Sequence, residues 1–290
     1  MPSNFHGLIR AMDRAGVSQS VLCGLPTTFH EENFFSFDTN TDAQLIELYE
    51  KLSEDYQKRF LPFICSIHPD NESSIEWANN YLSEHQESIF GFGEIICRHD
   101  RMSLKVFGHE IPPNTPTMCR LYDLAAKHQL PVLLHSNISS PGSTVASYSS
   151  EIMDAASHNS NCTIVWAHCG ISKGIHIYNL LEEVRQLLAL NPNLCVDISW
   201  LVYDYYIAES EKSLFEWANL IEEYADRFLI GTDHTGNWSD YCNTVSKYRK
   251  LLALLDKRTR RLVSQENATR IISRKSPPTK RRASQIKSTY

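Results

Sequence analysis

Six residues that can bind a metal ion, move a proton or form a hydrogen bond stand at the ends of apolar runs in this chain. They are His68, Glu94, His135, His168, Ser199 and Asp233. His135 ends Pro131-Val132-Leu133-Leu134, and His168 ends Ile164-Val165-Trp166-Ala167. An imidazole at either position can hold a divalent cation through a ring nitrogen, and His168 can equally act as base toward an attacking water. Asp233 follows Leu229-Ile230-Gly231-Thr232. Its carboxylate can bind the same cation and accept a proton from its water. Glu94 lies in Gly91-Phe92-Gly93-Glu94, where the glycines indicate close backbone approach, and is read as a second-metal or bridging ligand. Each has a plainer alternative: a hydrogen-bonded strand end for the histidines, a buried salt bridge for Glu94, a helix cap for Asp233. His68, in Ile67-His68-Pro69-Asp70, is expected to be structural. Asp197 and Ser199 share one strand face, so one of them is expected to reach the site. His234 adjoins Asp233 and is placed where it could touch a substrate. His6, His30, His85, His99, His109, His128, His158 and His176 fall in helices or loops and are expected at the surface.

The elements carrying these residues alternate strictly. Helical spacing over 5–15, 41–58, 73–87, 117–129, 144–158, 173–190, 209–226 and 240–272 is interleaved with apolar runs at 18–25, 60–67, 88–97, 130–135, 162–168, 193–199 and 227–232. Strands apolar on both faces and separated by helices imply a parallel sheet covered by helices. The turn after the first run reads Pro26-Thr27-Thr28-Phe29-His30, with no glycine-rich phosphate loop, which disfavours a dinucleotide-binding sheet. The expected fold is therefore a (β/α)8 barrel, whose reactive groups gather at the C-terminal ends of its strands. Seven strands are counted where eight close a barrel, and the chain opens on a helix, so the missing strand is the first. A shortened form is the expectation; an unusual closure is the alternative.

Charge divides the chain at Ser273. The last 18 residues carry six basic side chains and no acidic one, which leaves the body at −12 within an overall −6. Residues 1–272 are read as the barrel domain, and 273–290 as a disordered basic tail whose Arg281-Arg282-Ala283-Ser284 resembles a basophilic kinase site. An acidic body argues against a nucleic-acid partner. Eight cysteines without a CxxC pair, several of them inside apolar runs, read as buried reduced thiols of a cytosolic protein. Neither a signal peptide nor a membrane span is visible. The partner expected is a small-molecule substrate, with a homodimer as the assembly allowed for.

Taken in order, Leu133-Leu134-His135, Trp166-Ala167-His168-Cys169-Gly170 and Ile230-Gly231-Thr232-Asp233 resemble the strand-five, strand-six and strand-eight signatures of the amidohydrolase superfamily. The nearest likeness is to its amidohydrolase-related branch, which includes aminocarboxymuconate-semialdehyde decarboxylase. The opening Leu8–Val17 is similar to that branch's first helix, and Gln265–Ile271 to its closing helix. Gly91-Phe92-Gly93-Glu94-Ile95 is instead similar to a segment of the TatD-like hydrolases. The likeness spans residues 5–272. It implies a divalent metal, zinc first, with His135 and Asp233 as ligands, His168 as ligand or catalytic base, and Glu94 as ligand if the TatD-like pattern holds. The superfamily also carries a His-x-His pair at the end of strand one, and this sequence has none anywhere. The departure falls where the strand count leaves its gap, and it leaves few donors to hold zinc.

The function expected is hydrolysis of a small-molecule amide, ester or lactone by a metal-activated water, with His168 or Asp233 handling the proton. A non-oxidative decarboxylase on the same scaffold, a TatD-like nuclease and a barrel without catalysis are the alternatives. Arg98 and Arg101, in the loop after Glu94, are read as partners for a substrate carboxylate.

Overall fold

The computed structural model describes residues 5–29, 35–37, 40–236 and 238–272. The basic tail and its kinase-like sequence lie outside the described residues.

A helix opens the described chain. In α1 (Phe5–Ala15), Leu8, Ile9 and Met12 fall on one buried stripe, and Gly16 ends the helix at φ +75°. Seven strands then form one parallel sheet. They are β1 (Ser20–Cys23), β4 (Phe60–Ile64), β5 (Gly91–Ile96), β6 (Val132–His135), β7 (Ile164–Trp166), β8 (Leu194–Asp197) and β9 (Phe228–Leu229), each paired with the next in that order. The sheet is that of a TIM-type (β/α)8 barrel. Among the described residues no ladder joins β1 to β9.

Strand periodicity sorts the core. Phe92, Val132, Leu134, Ile164, Trp166, Leu194, Val196 and Phe228 face outward and pack under the helices in one large cluster. The alternate positions Phe63, Val165, Cys195 and Leu229 face inward. Ile271 and Ile272 of the last helix, α14 (Asn267–Ile272), pack against them and fill the lower interior. Burial of each such side chain contributes about 1.5–3 kcal/mol. On the outside, α11 (Tyr241–Lys247) packs against α1 across the unpaired edges. Tyr241 joins Phe5, Leu8, Met12 and Phe60 in one cluster, and its hydroxyl lies 3.4 Å from Ser20 Oγ.

Several expected elements change. Residues 27–37 hold an antiparallel pair, β2 (Thr27–Phe29) and β3 (Phe35–Phe37), where a plain turn is expected. The 41–58 helix divides at Ser53 into α2 (Asn40–Glu50) and α3 (Glu54–Gln57). An unforeseen helix, α5 (Asp100–Phe107), fills the loop after Glu94. α6 (Pro116–His128) and α7 (Ser149–His158) follow, then α8 (Leu180–Leu190), which starts later than 173 because the chain turns through Gly174 at φ +90°. The 240–272 segment forms four short helices and a wide turn at Leu262–Glu266. Cys65, Cys97, Cys162, Cys169 and Cys195 are buried as expected; Cys23, at the end of the edge strand β1, is instead exposed. No helix of the described residues is long and apolar enough to cross a membrane.

Candidate metal and proton-transfer site

Glu94 is aimed by its glycines. The β5–β6 ladder pairs Phe92 with Val132 but Ile95 with Leu134, so β5 carries one extra residue at this point. Gly93, at φ +142°, lies so close to β6 that a Cβ on it would stand 2.6 Å from Leu133 Cβ and 2.7 Å from Leu133 O. Only glycine fits that approach, and the bulge turns Glu94 into the barrel mouth.

His135 ends β6, as expected. His168 does not end β7: that strand stops at Trp166, and His168 sits on the turn Ala167–Gly170 at φ +55°. Asp233 lies four residues past β9, at φ +46°, and Trp200 after β8 is at φ +57°. Left-handed backbone at non-glycine residues is costly. Four of the five such residues, with Cys169 beside His168 on the same turn, gather around this one mouth, where surrounding contacts must hold them. Trp166 Nε1 donates to Ser136 O at 2.8 Å, fixing the base of the His168 turn.

The donor atoms of Glu94, His135 and His168 lie within 4.8 Å of one another. His135 Nδ1 stands 2.8 Å and His168 Nε2 3.4 Å from the same oxygen, Glu94 Oε1. His135 and His168 are 4% and 3% exposed. Asp233 Oδ2 is 3.9 Å from His168 Nε2, at the edge of this group rather than among it. On its other side, His168 Nδ1 is 2.7 Å from Ser199 Oγ, which is 3.1 Å from Asp197 Oδ2. Both residues of that strand face therefore reach the site, where one was expected. The Trp200 ring meets His168 edge-on at 5.3 Å.

These contacts set the charges. Burial alone would raise the Glu94 carboxyl, but hydrogen bonds from His135 and His168 and their charges outweigh it and hold the carboxyl well below the usual range. Burial disfavours a charged His168, yet the hydrogen bond to Glu94 and the charges of Asp197, Glu94 and Asp233 push it up to about 9. Asp233 rises to about 6, from burial and the neighbouring Glu94 and Asp197 charges. Asp197 is raised, chiefly by burial.

His99 was missed. Expected at the surface, it instead stacks on His135 with ring centroids 4.4 Å apart, and burial with the His135 charge lowers it to about 4. Its Nδ1 and His135 Nε2 are buried without a hydrogen-bond partner. The sequence signal available was position: His99 falls three residues beyond a strand that already carries Glu94.

Other expected residues have different partners. His68 packs its ring on Phe107 and Phe37, at 4.6 and 5.4 Å, and accepts from Asp70 N: a structural role, as read. His234 stacks near Trp238. Arg98 is not free for a substrate carboxylate. It donates to both oxygens of Glu151, at 2.5 and 2.7 Å, and lies over the Tyr148 ring. The Arg101 side chain lies outside the described residues. His6, His109, His158 and His176 are exposed, as expected, and His85 pairs with Glu50.

The sequence profile of the amidohydrolase family matches residues 28–274. The chain belongs to this amidohydrolase family. No curated protein matches it. Among solved structures, it is similar to an uncharacterized TIM-barrel protein from Bordetella bronchiseptica, with a TM-score of 0.63 and 14% identity, over 91% of this chain and 80% of that one. It is similar to a probable 2-pyrone-4,6-dicarboxylic acid hydrolase from Acinetobacter baumannii, with a TM-score of 0.60 and 13% identity over 92% and 88% of the two chains. It is also similar to 2,6-dihydroxybenzoate decarboxylase from Rhizobium, with a TM-score of 0.56 and 13% identity over 91% and 87%. At such identities the likeness speaks for the fold. As an amidohydrolase, this chain brings a candidate Glu–His–His cation site to the C-terminal mouth of its barrel, where such folds keep their chemistry.

Proposed function

We propose that this amidohydrolase is a metal-dependent hydrolase of a small-molecule amide, ester or lactone. The observation that carries the reading is the convergence of two imidazole nitrogens on one carboxylate oxygen in a largely buried pocket. The donors fit a divalent cation: two nitrogens and one oxygen, one side of His168 already backed by Ser199, and a geometry in which Glu94 is ionised. Nitrogen and carboxylate donors suit zinc. Glu94, His135 and His168 would hold the ion, which would supply Lewis-acid polarisation and a water of lowered pKa. Asp233 stands beside this group with a carboxyl near the middle of the working pH range. In this reading it would take the proton of the attacking water and return it to the leaving group.

A second reading, non-oxidative decarboxylation, draws on that same Asp233. A carboxyl raised to about 6 can deliver a proton to carbon as carbon dioxide leaves.

The test is metal content by inductively coupled plasma mass spectrometry on purified protein and on the Glu94→Ala, His135→Ala and Asp233→Ala variants. About one equivalent of zinc, manganese or iron is expected, lost in the first two and kept in the third. A screen of lactones, amides and aromatic acids on the loaded protein then separates hydrolysis from carbon dioxide release. Protein that binds no metal when zinc is supplied would sink both readings and leave a barrel without catalysis.

A further inference from the structure

Ser199 and Asp197 do more than fill the end of β8. The Ser199 amide donates to Asp197 Oδ1 at 2.6 Å, and its hydroxyl lies 3.1 Å from Asp197 Oδ2. An ionised carboxylate only accepts, so the single hydroxyl proton of Ser199 is committed to it. What remains on Ser199 Oγ is a lone pair, and the atom facing it at 2.7 Å is His168 Nδ1. That nitrogen must then carry a proton and donate it.

We infer that Ser199 and Asp197 form a positioning relay that keeps a proton on His168 Nδ1 and reserves Nε2 for the Glu94–Asp233 side of the mouth. A neutral imidazole has one proton to place. With Nδ1–H fixed, Nε2 is the nitrogen that faces Glu94 Oε1 and Asp233 Oδ2, at 3.4 and 3.9 Å, donating to Glu94 while the ring is charged and free to meet a cation once that proton leaves. The alternative tautomer would turn an N–H toward the place where a cation would bind. The relay deepens the proposed function and rests on that reading of His168.

The surroundings are built to hold the relay. Ser199 is fully buried. A Cβ on Gly231 would lie 3.0 Å from Asp197 Oδ1 and 3.2 Å from Ser199 Cβ, so the carboxylate occupies the space a side chain there would need. Tyr248 OH donates across Ile198 O and Gly231 O, each at 2.9 Å, tying the end of β8 to the segment after β9. The Trp200 ring closes the exposed edge of His168.

The experiment uses the full chain with ¹⁵N-labelled histidine, as wild type and as Ser199→Ala and Ser199→Thr. The metal-free proteins are compared by histidine ring ¹⁵N–¹H correlation on the alkaline side of about pH 9, where His168 is neutral and holds one ring proton, and Zn²⁺ affinity is measured by competition with a chelating indicator. Wild type is expected to show a slowly exchanging Nδ1–H on His168, retained in Ser199→Thr and lost in Ser199→Ala. Ser199→Ala is expected to bind Zn²⁺ about 10–100-fold more weakly, with Ser199→Thr restoring most of it. An Nδ1 of His168 without a proton in wild type, or an Nδ1–H equally persistent in Ser199→Ala, overturns the relay. If wild type takes up no Zn²⁺, the proposed function falls, while the ring spectrum still decides the relay.

Discussion

The two halves of the barrel mouth are built differently. From β5 to β8 the functional groups are buried, and His135, His168, Glu94, Ser199 and Asp197 form one connected network of contacts. From β9 round to β1 the groups are looser. Asp233 has a side chain 29% exposed and stands 3.9 Å from its nearest partner in that network. On the β1 side, Leu25, just past the strand, is 48% exposed. The difference follows from pairing. Each strand from β4 to β8 has a neighbour on both sides, whereas β1 and β9 have one each among the described residues. Where a strand is held on both edges, polar groups can be buried and satisfied against a rigid frame; where it is not, polar groups stay near water. One half of the mouth is a preorganised cluster of candidate donors, and the other carries Asp233, the proton carrier in the proposed function.

Breaking the closed half should cost most. His135→Ala or Glu94→Ala is expected to abolish stoichiometric metal binding and to lower kcat/KM by at least about 10³-fold, on the order of 4 kcal/mol. Retained metal with retained turnover in either variant would show that the donors do not act together. Next in size is the frame beneath them. Gly93→Ala must place a Cβ against Leu133 at a backbone conformation only glycine tolerates, and is expected to cost about 3 kcal/mol in chemical denaturation. Gly16→Ala, at φ +75° but with open space around it, should cost only about 1 kcal/mol. Equal losses at the two glycines would mean that the close β5–β6 approach is not what fixes Glu94.

The closed half is also the half that the sequence shows best. Short runs apolar on both faces mark β4 to β8, and a histidine or carboxylate at the end of such a run is conspicuous, so Glu94, His135 and His168 could be picked out. The barrel followed from strict alternation. What stayed hidden depends on contacts between distant segments. His99 reads as one more loop histidine until α5 turns it under His135. Asp42 lies in the 41–58 segment, whose helical spacing does not show what that carboxylate meets. In the structure it is buried, and it accepts from the Cys65 and Ser66 amides at 2.9 and 2.7 Å, which is why β4 stops at Ile64. Arg98 reads as a free cation, and only the fold brings Glu151 to it. The left-handed turn at His168 is likewise set by the packing of Trp166 under Ser136 rather than by local propensity.

Proton linkage tests the same contrast with a smaller effect. His168 is raised from 6.5 to about 9 by its carboxylate neighbours. A cationic group raised on folding stabilises the folded state fully below its unfolded value, and that stabilisation is lost as pH climbs to the folded value. Metal-free protein is therefore expected to lose stability between about pH 6.5 and pH 9. Zn²⁺ affinity should move the other way, rising up to about tenfold per pH unit toward pH 9 as the proton on His168 ceases to compete. A flat affinity profile across that range would remove His168 from the ligand set and leave it the role of base.

The smallest expected effect lies on the open half. Leu25→Ser replaces an exposed side chain just past the edge strand β1, and should change stability by less than about 0.5 kcal/mol and leave metal content unaltered. Set beside a loss of about 2–5 kcal/mol for Ile164→Ala in the fully paired β7, that result would confirm that the frame holding the donors is anchored in the strands with two neighbours. A loss of metal in Leu25→Ser, with folding intact, would instead join the segment after the edge strand to the site, and the mouth would have to be regarded as one continuous ring.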